Sequence, residues 1–311
     1  MLDQMLYLLG RTLIGLVQLP PLGLVARLGR LGGSLAWWLD GRHRRIAREN
    51  LTAAFPDKSA REIRDLAREN FRRIGENYAS AIKTAGMNEA QIRRVLTAQN
   101  ADRIVTVEGS RNVVYAVGHF GNFELYARAN LFFPGWQIIT TYRGLKQPAL
   151  NRLLVNLRRR SGALYFDRRK GSKPLQQAMS GERLMVGLLA DQHAGDSGER
   201  LPFLGRECST TTAPAVFALR YNCALHTAFC RRVALGRWCI EMGPEIPIHH
   251  PDGSPRDVAA VTAEVNRALE EAVRADPANW FWVHRRWKPA SAKQLARRAA
   301  KASANQPPAA E

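Results

Sequence analysis

Cysteine is scarce in this chain of 311 residues, and its spacing matches no common metal or disulfide framework. Cys208, Cys223, Cys230 and Cys239 form no Cys-x-x-Cys pair. They are also too few for a disulfide scaffold. We therefore predict buried thiols in a reducing compartment, with neither zinc nor a disulfide.

Acidic residues are also few, with 27 Asp and Glu against 46 Lys and Arg, so the net charge is +19. Such an excess requires an anionic partner. Nucleic acid, an anionic membrane surface and an acidic soluble protein all meet this requirement, and charge alone does not choose among them.

The sequence has no clean membrane-spanning run. The stretch 12–26 is uncharged but shorter than the roughly 20 residues that a spanning helix needs, and Pro20 and Pro21 interrupt it. Without a basic start or a small-residue cleavage site, it is not predicted to be a signal peptide. A tilted or marginal membrane helix, an interfacial helix and a cap on the domain remain. The basic cluster 42–45 favours membrane association of residues 1–40, from the cytoplasmic side.

The rest of the chain is predicted to form one α/β domain, over residues 41–290. Apolar residues make up 46% of the chain, enough for one sizeable core, and no internal repeat is visible. Residues 291–311 are rich in Ala, Lys, Arg, Gln and Pro without apolar periodicity, which predicts a basic tail that is disordered from about residue 293.

Strand and helix patterns alternate after residue 100, whereas 42–98 is predicted to be helical. Strands are expected at 104–108, 113–117, 137–142, 163–166, 184–190, 224–232 and 238–242, and helices at 123–132, 148–160, 174–180, 212–221 and 257–275. This order predicts a largely parallel central sheet flanked by helices. Because sites in such sheets form beyond the carboxyl ends of strands, His119 and Asp191 are expected to share one cleft.

The segment around His119 has the composition of a catalytic turn. Five β-compatible residues precede it, and a break at Gly121 and Asn122 separates it from Glu124 at the start of a helix. With Asn122 as the N-cap, Glu124 is predicted to face the imidazole and orient it as a general base. Backbone N–H groups at this helix start would meet an oxyanion. The alternative is a strand-end histidine beside an ordinary first-turn acid.

The sequence from His119 to Glu124 resembles the histidine-x4-acid motif of glycerolipid acyltransferases, in the form found in bacterial lipid A late acyltransferases. Three further stretches are similar to motifs of this family: 48–56 with its Asn-Leu and Phe-Pro pairs, 189–192 followed by 201–205, and the tryptophan and arginine block 280–288. Leu204 replaces the usual aromatic residue of the motif formed by 189–192 and 201–205, the third motif in chain order. The resemblance covers about residues 5 to 289.

The resemblance implies a membrane-associated enzyme with a glycerolipid-acyltransferase-like fold. It would transfer a fatty acyl chain from acyl carrier protein to a hydroxyl of a lipid A precursor at the cytoplasmic face of the inner membrane. His119 and Glu124 would be the catalytic pair, with no cofactor. Two alternatives remain open: an acyl-CoA-dependent enzyme acting on a phosphatidylinositol mannoside or another glycolipid, and a non-enzymatic basic protein that binds lipid or nucleic acid.

Several other polar residues are candidate site residues. Arg143 follows a predicted strand and would bind a phosphate or an oxyanion, as the corresponding arginine of the family suggests. A basic stretch on or just after the next helix is predicted to dock the carrier protein or a lipid phosphate, with a solvated stripe as the alternative; it comprises Arg152, Arg158, Arg159 and Arg160.

Two motifs allow a different ligand. The loop from Asp191 to Asp196 has metal-ligand residue types, but one mixed loop is a weak metal site, so we predict no metal and make Asp191 a structural or substrate-positioning acid. The aromatic and basic block 280–288 is compatible with base stacking or with a membrane interface. The family resemblance favours the membrane interface and no nucleic acid.

Overall fold

The computed structural model describes residues 1–105, 111–171, 173–292 and 294–296. Its α-helices are α1 Leu2–Gln18, α2 Leu22–Leu39, α3 Gly41–Ala54, α4 Ala60–Ala85, α5 Glu89–Arg93, α6 Asp102–Val105, α7 Pro148–Arg159, α8 Lys173–Ala178, α9 Ala213–Tyr221 and α10 Val258–Ala275. Its strands are β1 Leu96–Gln99, β2 Val113–Val117, β3 Gln137–Tyr142, β4 Leu164–Asp167, β5 Leu184–Leu189, β6 Glu199–Phe203, β7 Arg206–Thr210, β8 Ala224–Ala234 and β9 Arg237–Glu245.

The central sheet has seven strands in the order β1-β9-β8-β2-β5-β3-β4. All neighbouring strands are parallel except β8 and β9, which form an antiparallel pair. Strands β6 and β7 form a separate antiparallel hairpin. The predicted α/β class with a largely parallel sheet flanked by helices is confirmed.

The sheet is buried on both faces, as a doubly covered parallel sheet requires. Along β2, Val114 and Ala116 pack on the side of α4 and α10, whereas Val113, Tyr115 and Val117 pack on the other side. This second side is covered by a 3-10 helix, Phe123–Leu131, where the sequence predicted an α-helix. The alternation explains why every residue of β2 is buried.

The N-terminal helices α1 and α2 meet at a sharp bend of 117° at the Pro20-Pro21 break. Among the described residues, no single helix is both long and apolar enough to cross a membrane. Helices α1 and α2 reach the length and apolar composition of a membrane span only together, as a bent pair. Helix α1 buries none of its residues. Both helices expose leucines, among them Leu9, Leu13 and Leu31.

Helix α2 packs closely on α4 because glycines face each other at the contact. A Cβ added at Gly33 would lie 2.2 Å from the Phe71 carbonyl oxygen, and one at Gly75 would lie 2.1 Å from the Gly29 oxygen. Helix α1 contacts α7 where Gly10 approaches Leu153, and also through Asp3, which accepts hydrogen bonds from the Ala149 amide and the Arg152 guanidinium. Residues 1–40 are therefore packed on the rest of the chain.

Three local predictions differ from the structure. The strand expected at 104–108 begins inside helix α6, and its residues 106–108 lie outside the described part of the chain. Strand β1 and the β6–β7 hairpin were not predicted, because β1 is short and β6 contains Pro202. Of the predicted tail, residues 291, 292 and 294–296 are described, and buried Gln294 donates a hydrogen bond to the Gly198 oxygen.

Candidate active site

His119 lies in the predicted turn between β2 and the 3-10 helix. The turn needs glycine at position 121, where φ is +50° and a Cβ would lie 2.5 Å from the Cys230 carbonyl oxygen. The Gly121 amide donates to the Asn279 carbonyl oxygen at 3.0 Å, so it is not free to bind an oxyanion. The block that contains Trp280 thus runs along the His119 turn.

The imidazole of His119 is held by Asp191. Nδ1 of His119 lies 2.8 Å from Oδ1 of Asp191, and the backbone amide of His119 donates to Oδ2 at 2.7 Å. Parallel pairing of β2 with β5 sets Val117 opposite Leu189, and each of the two polar residues lies two positions further along its strand. The sheet register therefore places Asp191 beside His119, and the predicted shared cleft is present.

The Asp191 carboxylate is fully buried and remains the charged partner of the imidazole. Burial alone would raise its pKa, but the charge of His119 and the hydrogen bonds from His119 and the Trp280 indole outweigh burial and lower that pKa. Trp280 Nε1 donates to Oδ2 at 2.8 Å. An ionised carboxylate on Nδ1 favours the tautomer whose Nε2 is free to accept a proton.

Glu124, predicted to orient the imidazole, lines the same cavity as His119, but its hydrogen-bond partner is Arg158. It forms an ion pair with Arg158 of α7, in which Nε of Arg158 lies 3.0 Å from Oε2 of Glu124. The Arg158 guanidinium also lies over the rings of Tyr142 and Tyr165, at 5.5 and 5.1 Å from their centres. Asp191 thus occupies Nδ1 of His119, and the Glu124 carboxylate pairs with the guanidinium of Arg158.

Asn122 occupies the N-cap position of the 3-10 helix, but its side chain makes no capping hydrogen bond. Its Nδ2 instead donates to Thr84 Oγ1 at 3.4 Å, and the residue is buried. The predicted N-cap position is therefore confirmed, but the side chain does not cap the helix. The first amide used inside this helix is that of Leu125, which bonds to the Asn122 oxygen. The first-turn amides of Phe123 and Glu124 therefore have no acceptor within the helix and point toward its N-terminal end.

A mostly apolar cavity of about 230 Å³ opens beside His119. Helix α4 contributes Ile74, Tyr78 and Ala81, and helix α7 contributes Leu154 and Leu157. A smaller cavity of about 80 Å³ lies against the sheet, and the two share Phe123, Glu124, Arg158 and Tyr165 as lining residues. The site thus places the His119 imidazole at the wall of a space suited to a hydrocarbon chain.

The remaining predicted basic residues are not all at this cavity. Arg143 is exposed after β3 and does not line the cavity beside His119. Arg158 is a lining residue bound to Glu124, so it is not a free docking group. Arg152 is paired with Asp3. Arg159 and Arg160 are exposed at the end of α7. The predicted four-arginine docking face is therefore reduced to its last two members.

The four sequence motifs converge on the site. Asn50 Nδ2 of the first motif donates to the carbonyl oxygens of Trp282 and His284, each at 2.9 Å. Arg286, fully buried, donates to the oxygens of Gln192 and Ser209 and lies over the Phe203 ring. The first, third and fourth motifs thus hold the backbone that surrounds the His119 turn.

Asn70 was not among the predicted residues, although it has a similar role. It is fully buried on α4 and donates to the carbonyl oxygens of Ala278 and Trp280. An asparagine inside an otherwise amphipathic helix is the sequence signal that identifies it. The four cysteines are buried, as predicted, and the structure shows them as free thiols. Within the described residues, no group of three or more His, Cys, Asp or Glu side chains is placed to hold a metal.

The chain matches one bacterial enzyme family along nearly its whole length. The sequence model of the bacterial lipid A biosynthesis acyltransferase family matches residues 1–289. The chain is 27% identical to the lipid A biosynthesis palmitoleoyltransferase of Escherichia coli (strain K12), over 88% of this chain and 87% of the relative. It is also 27% identical to the lauroyltransferase of that organism, over 90% of each.

A more distant relative is the phosphatidylinositol mannoside acyltransferase of Mycobacterium tuberculosis, 25% identical over 56% of this chain and 54% of the relative. Because the family model spans nearly the whole chain, it covers the His119 turn, Asp191 and the Trp280 block together. This protein is an acyltransferase and belongs to the bacterial lipid A biosynthesis acyltransferase family.

Proposed function

We propose that the protein transfers a fatty acyl chain from an acyl carrier protein thioester to a hydroxyl of a lipid A precursor. The observation that carries this proposal is the His119–Asp191 pair at the wall of a mostly apolar cavity. The named activities of the full-length relatives support the lipid A-type acceptor.

In the proposed mechanism, Nε2 of His119 removes the proton of the acceptor hydroxyl as its oxygen attacks the thioester carbonyl carbon. Asp191 stabilises the resulting imidazolium through Nδ1. Collapse of the tetrahedral intermediate breaks the carbon–sulfur bond, and the imidazolium returns its proton to the leaving thiolate. The products are an ester and the carrier thiol, and neither a cofactor nor an acyl-enzyme is needed.

The oxyanion needs donors on the cavity side of His119. The Phe123 and Glu124 amides are candidates because the helix does not use them, and Arg158 supplies positive charge at the same wall. We assign Glu124 the task of holding Arg158, through their ion pair. Arg143 is proposed for a substrate phosphate rather than for the oxyanion, since it is exposed and absent from the cavity lining.

The acidic carrier protein is proposed to approach the exposed end of α7. Arg159 and Arg160 are the members of the predicted docking stretch that remain exposed. Like Arg158, they follow Leu154 and Leu157, which line the cavity, so a carrier protein bound there would be near its mouth. Substitution of both arginines by Glu is expected to lower kcat/KM for the carrier thioester more at low salt than at high salt.

Attachment to the cytoplasmic face of the inner membrane is proposed for α1 and α2. Helix α1 is bound to the protein by polar contacts and leaves Leu9, Leu13 and Leu16 exposed. A helix with an exposed apolar face lies in a membrane interface with that face toward the acyl chains of the bilayer. The acceptor lipid would then reach the cavity from the bilayer, because α1 packs on α7.

The test is acyl transfer by purified protein from an acyl carrier protein thioester to a lipid A precursor, with the product identified by mass spectrometry. His119→Ala is expected to lower the rate at least about a hundredfold, the usual scale for a positioned general base. A folded His119→Ala protein with near-normal transfer would exclude this mechanism. A product on a phosphatidylinositol mannoside alone would instead support the glycolipid alternative suggested by the mycobacterial relative.

A further inference from the structure

Four exposed basic side chains gather at the carboxyl ends of β3 and β4, and we call them the basic rim: Arg143, Lys146, Arg168 and Arg169. Strand register pairs Tyr142 with Asp167, so Arg143 and Arg168 follow at neighbouring positions. Within the described part of the chain, none of the four side chains has a hydrogen-bond or ion-pair partner. The rim is therefore available to an external anion.

The two loops that carry the basic rim are held together by Asp167. Its Oδ1 accepts the Gly144 amide at 3.1 Å and the Arg169 amide at 3.0 Å. A Cβ at Gly144 would lie 2.5 Å from Oδ2 of the same carboxylate, so the approach is close. The charge of Asp167 offsets one of the four cations. The rim therefore keeps a net positive charge on a fixed backbone.

Exposed leucines adjoin the basic rim. Leu145 lies between Arg143 and Lys146 in the chain, and Leu150 follows on the first turn of α7. Asp3 of α1 accepts the Ala149 amide, which brings exposed Leu2 to the same place. Cations next to exposed leucines suit a bilayer surface, where leucines enter the apolar boundary and cations meet phosphates. An acidic soluble protein would contact the cations and not the exposed leucines.

We propose that the basic rim binds phosphate groups of anionic lipids at the bilayer surface, with Leu2, Leu145 and Leu150 inserted beside them. This inference rests on the proposed membrane attachment of the enzyme and adds a specific headgroup contact to it. All the strands involved are parallel, so the rim lies at the same edge of the sheet as His119 and Asp191. The contact would fix the orientation of the active-site edge toward the bilayer.

The experiment compares binding to phosphatidylcholine vesicles with and without phosphatidylglycerol, by sedimentation of the full-length protein. The rim variant combines Lys146→Gln, Arg168→Gln and Arg169→Gln. The control combines Arg94→Gln, Arg237→Gln and Arg274→Gln, which remove the same charge at exposed positions elsewhere; Arg94 and Arg237 flank strands at the opposite edge of the sheet. Each basic residue near an anionic bilayer contributes about fivefold to binding. The rim variant is thus expected to lose about a hundredfold on the anionic vesicles, and the control much less.

The outcomes separate this inference from the proposal on which it rests. Equal losses in the two variants, or normal binding by the rim variant, would overturn the headgroup contact while leaving acyl transfer and membrane attachment intact. A rim variant with normal vesicle binding and a raised KM for the carrier thioester would assign the rim to an acidic protein and also overturn the inference. Wild-type protein that binds neither vesicle would disprove membrane attachment itself. Thermal unfolding of both variants checks that they are folded.

Discussion

Trp280 donates its indole N–H to the same Asp191 oxygen that accepts the backbone amide of His119. The acid comes from the end of β5, and the donor comes from the last motif of the chain. A buried carboxylate with hydrogen bonds to its charged form stays ionised. The Trp280 block therefore helps to set the electrostatics of His119 without contacting its ring nitrogens.

Asp191→Asn is expected to lower acyl transfer at least about a thousandfold, because an amide neither fixes the required histidine tautomer nor balances the imidazolium charge.

Trp280→Phe keeps an aromatic ring but removes one hydrogen bond to the Asp191 carboxylate, and a loss of acyl transfer of about tenfold to a hundredfold is expected. It should also raise the pKa of Asp191 and move the acidic limb of the pH profile to higher pH. A Trp280→Phe profile that only scales down uniformly would show that the indole serves packing alone.

Glu124 and Arg158 are expected to act as one unit. Glu124→Gln and Arg158→Gln should each lower kcat, and the double variant should be little worse than the more damaged single variant, because each change breaks the same ion pair. If Glu124 instead orients His119 directly, Glu124→Gln should lose as much as His119→Ala and combine additively with Arg158→Gln. Kinetics of the three variants and the wild type decide between the two roles.

The helix contact between α2 and α4 allows a matched stability test at two adjacent glycines. Gly33→Ala places a methyl group 2.2 Å from the Phe71 carbonyl oxygen and is expected to lower the free energy of unfolding by about 1–3 kcal/mol. Gly32→Ala meets nothing within 4 Å and should be neutral or raise it by about 0.4–1 kcal/mol. Denaturant unfolding measures both, and similar effects at the two positions would contradict the close packing.

Stability is expected to fall as the pH decreases from about 6.5 toward about 4. Burial lowers the pKa of His284 to about 4, and burial also lowers the pKa values of His193 and His226. In this window the unfolded chain binds more protons than the folded protein, so acidification favours unfolding. His284→Gln keeps an acceptor for the His193 amide, which bonds to Nε2 of His284 at 3.0 Å, and should flatten the pH dependence. An unchanged slope would refute this assignment.

The sequence was sufficient where strand periodicity and turn residues determine the structure. It predicted β2 and the turn at His119, and it placed Asp191 in the same cleft. Local spacing favoured Glu124 as the partner of His119, whereas the acid hydrogen-bonded to the imidazole is Asp191, which the register of β2 on β5 places there. It also did not predict the ion pair between Asp3 and Arg152, because that pair joins segments far apart in the chain. Cross-strand register and long-range ion pairs are not encoded in local patterns.

The asparagine contacts that hold the Trp280 block have a consequence for biosynthesis. Asn50 bonds to Trp282 across 232 residues, and Asn70 bonds to Trp280 across 210. Closing loops of this length is entropically unfavourable, and the partners exist only after residues 280 and 282 have been synthesised. Asn50 of α3 and Asn70 of α4 therefore lack these hydrogen-bond partners until the last motif, 280–288, has been synthesised. The surroundings of Asp191 are therefore expected to form only after residues 278–284 have emerged from the ribosome.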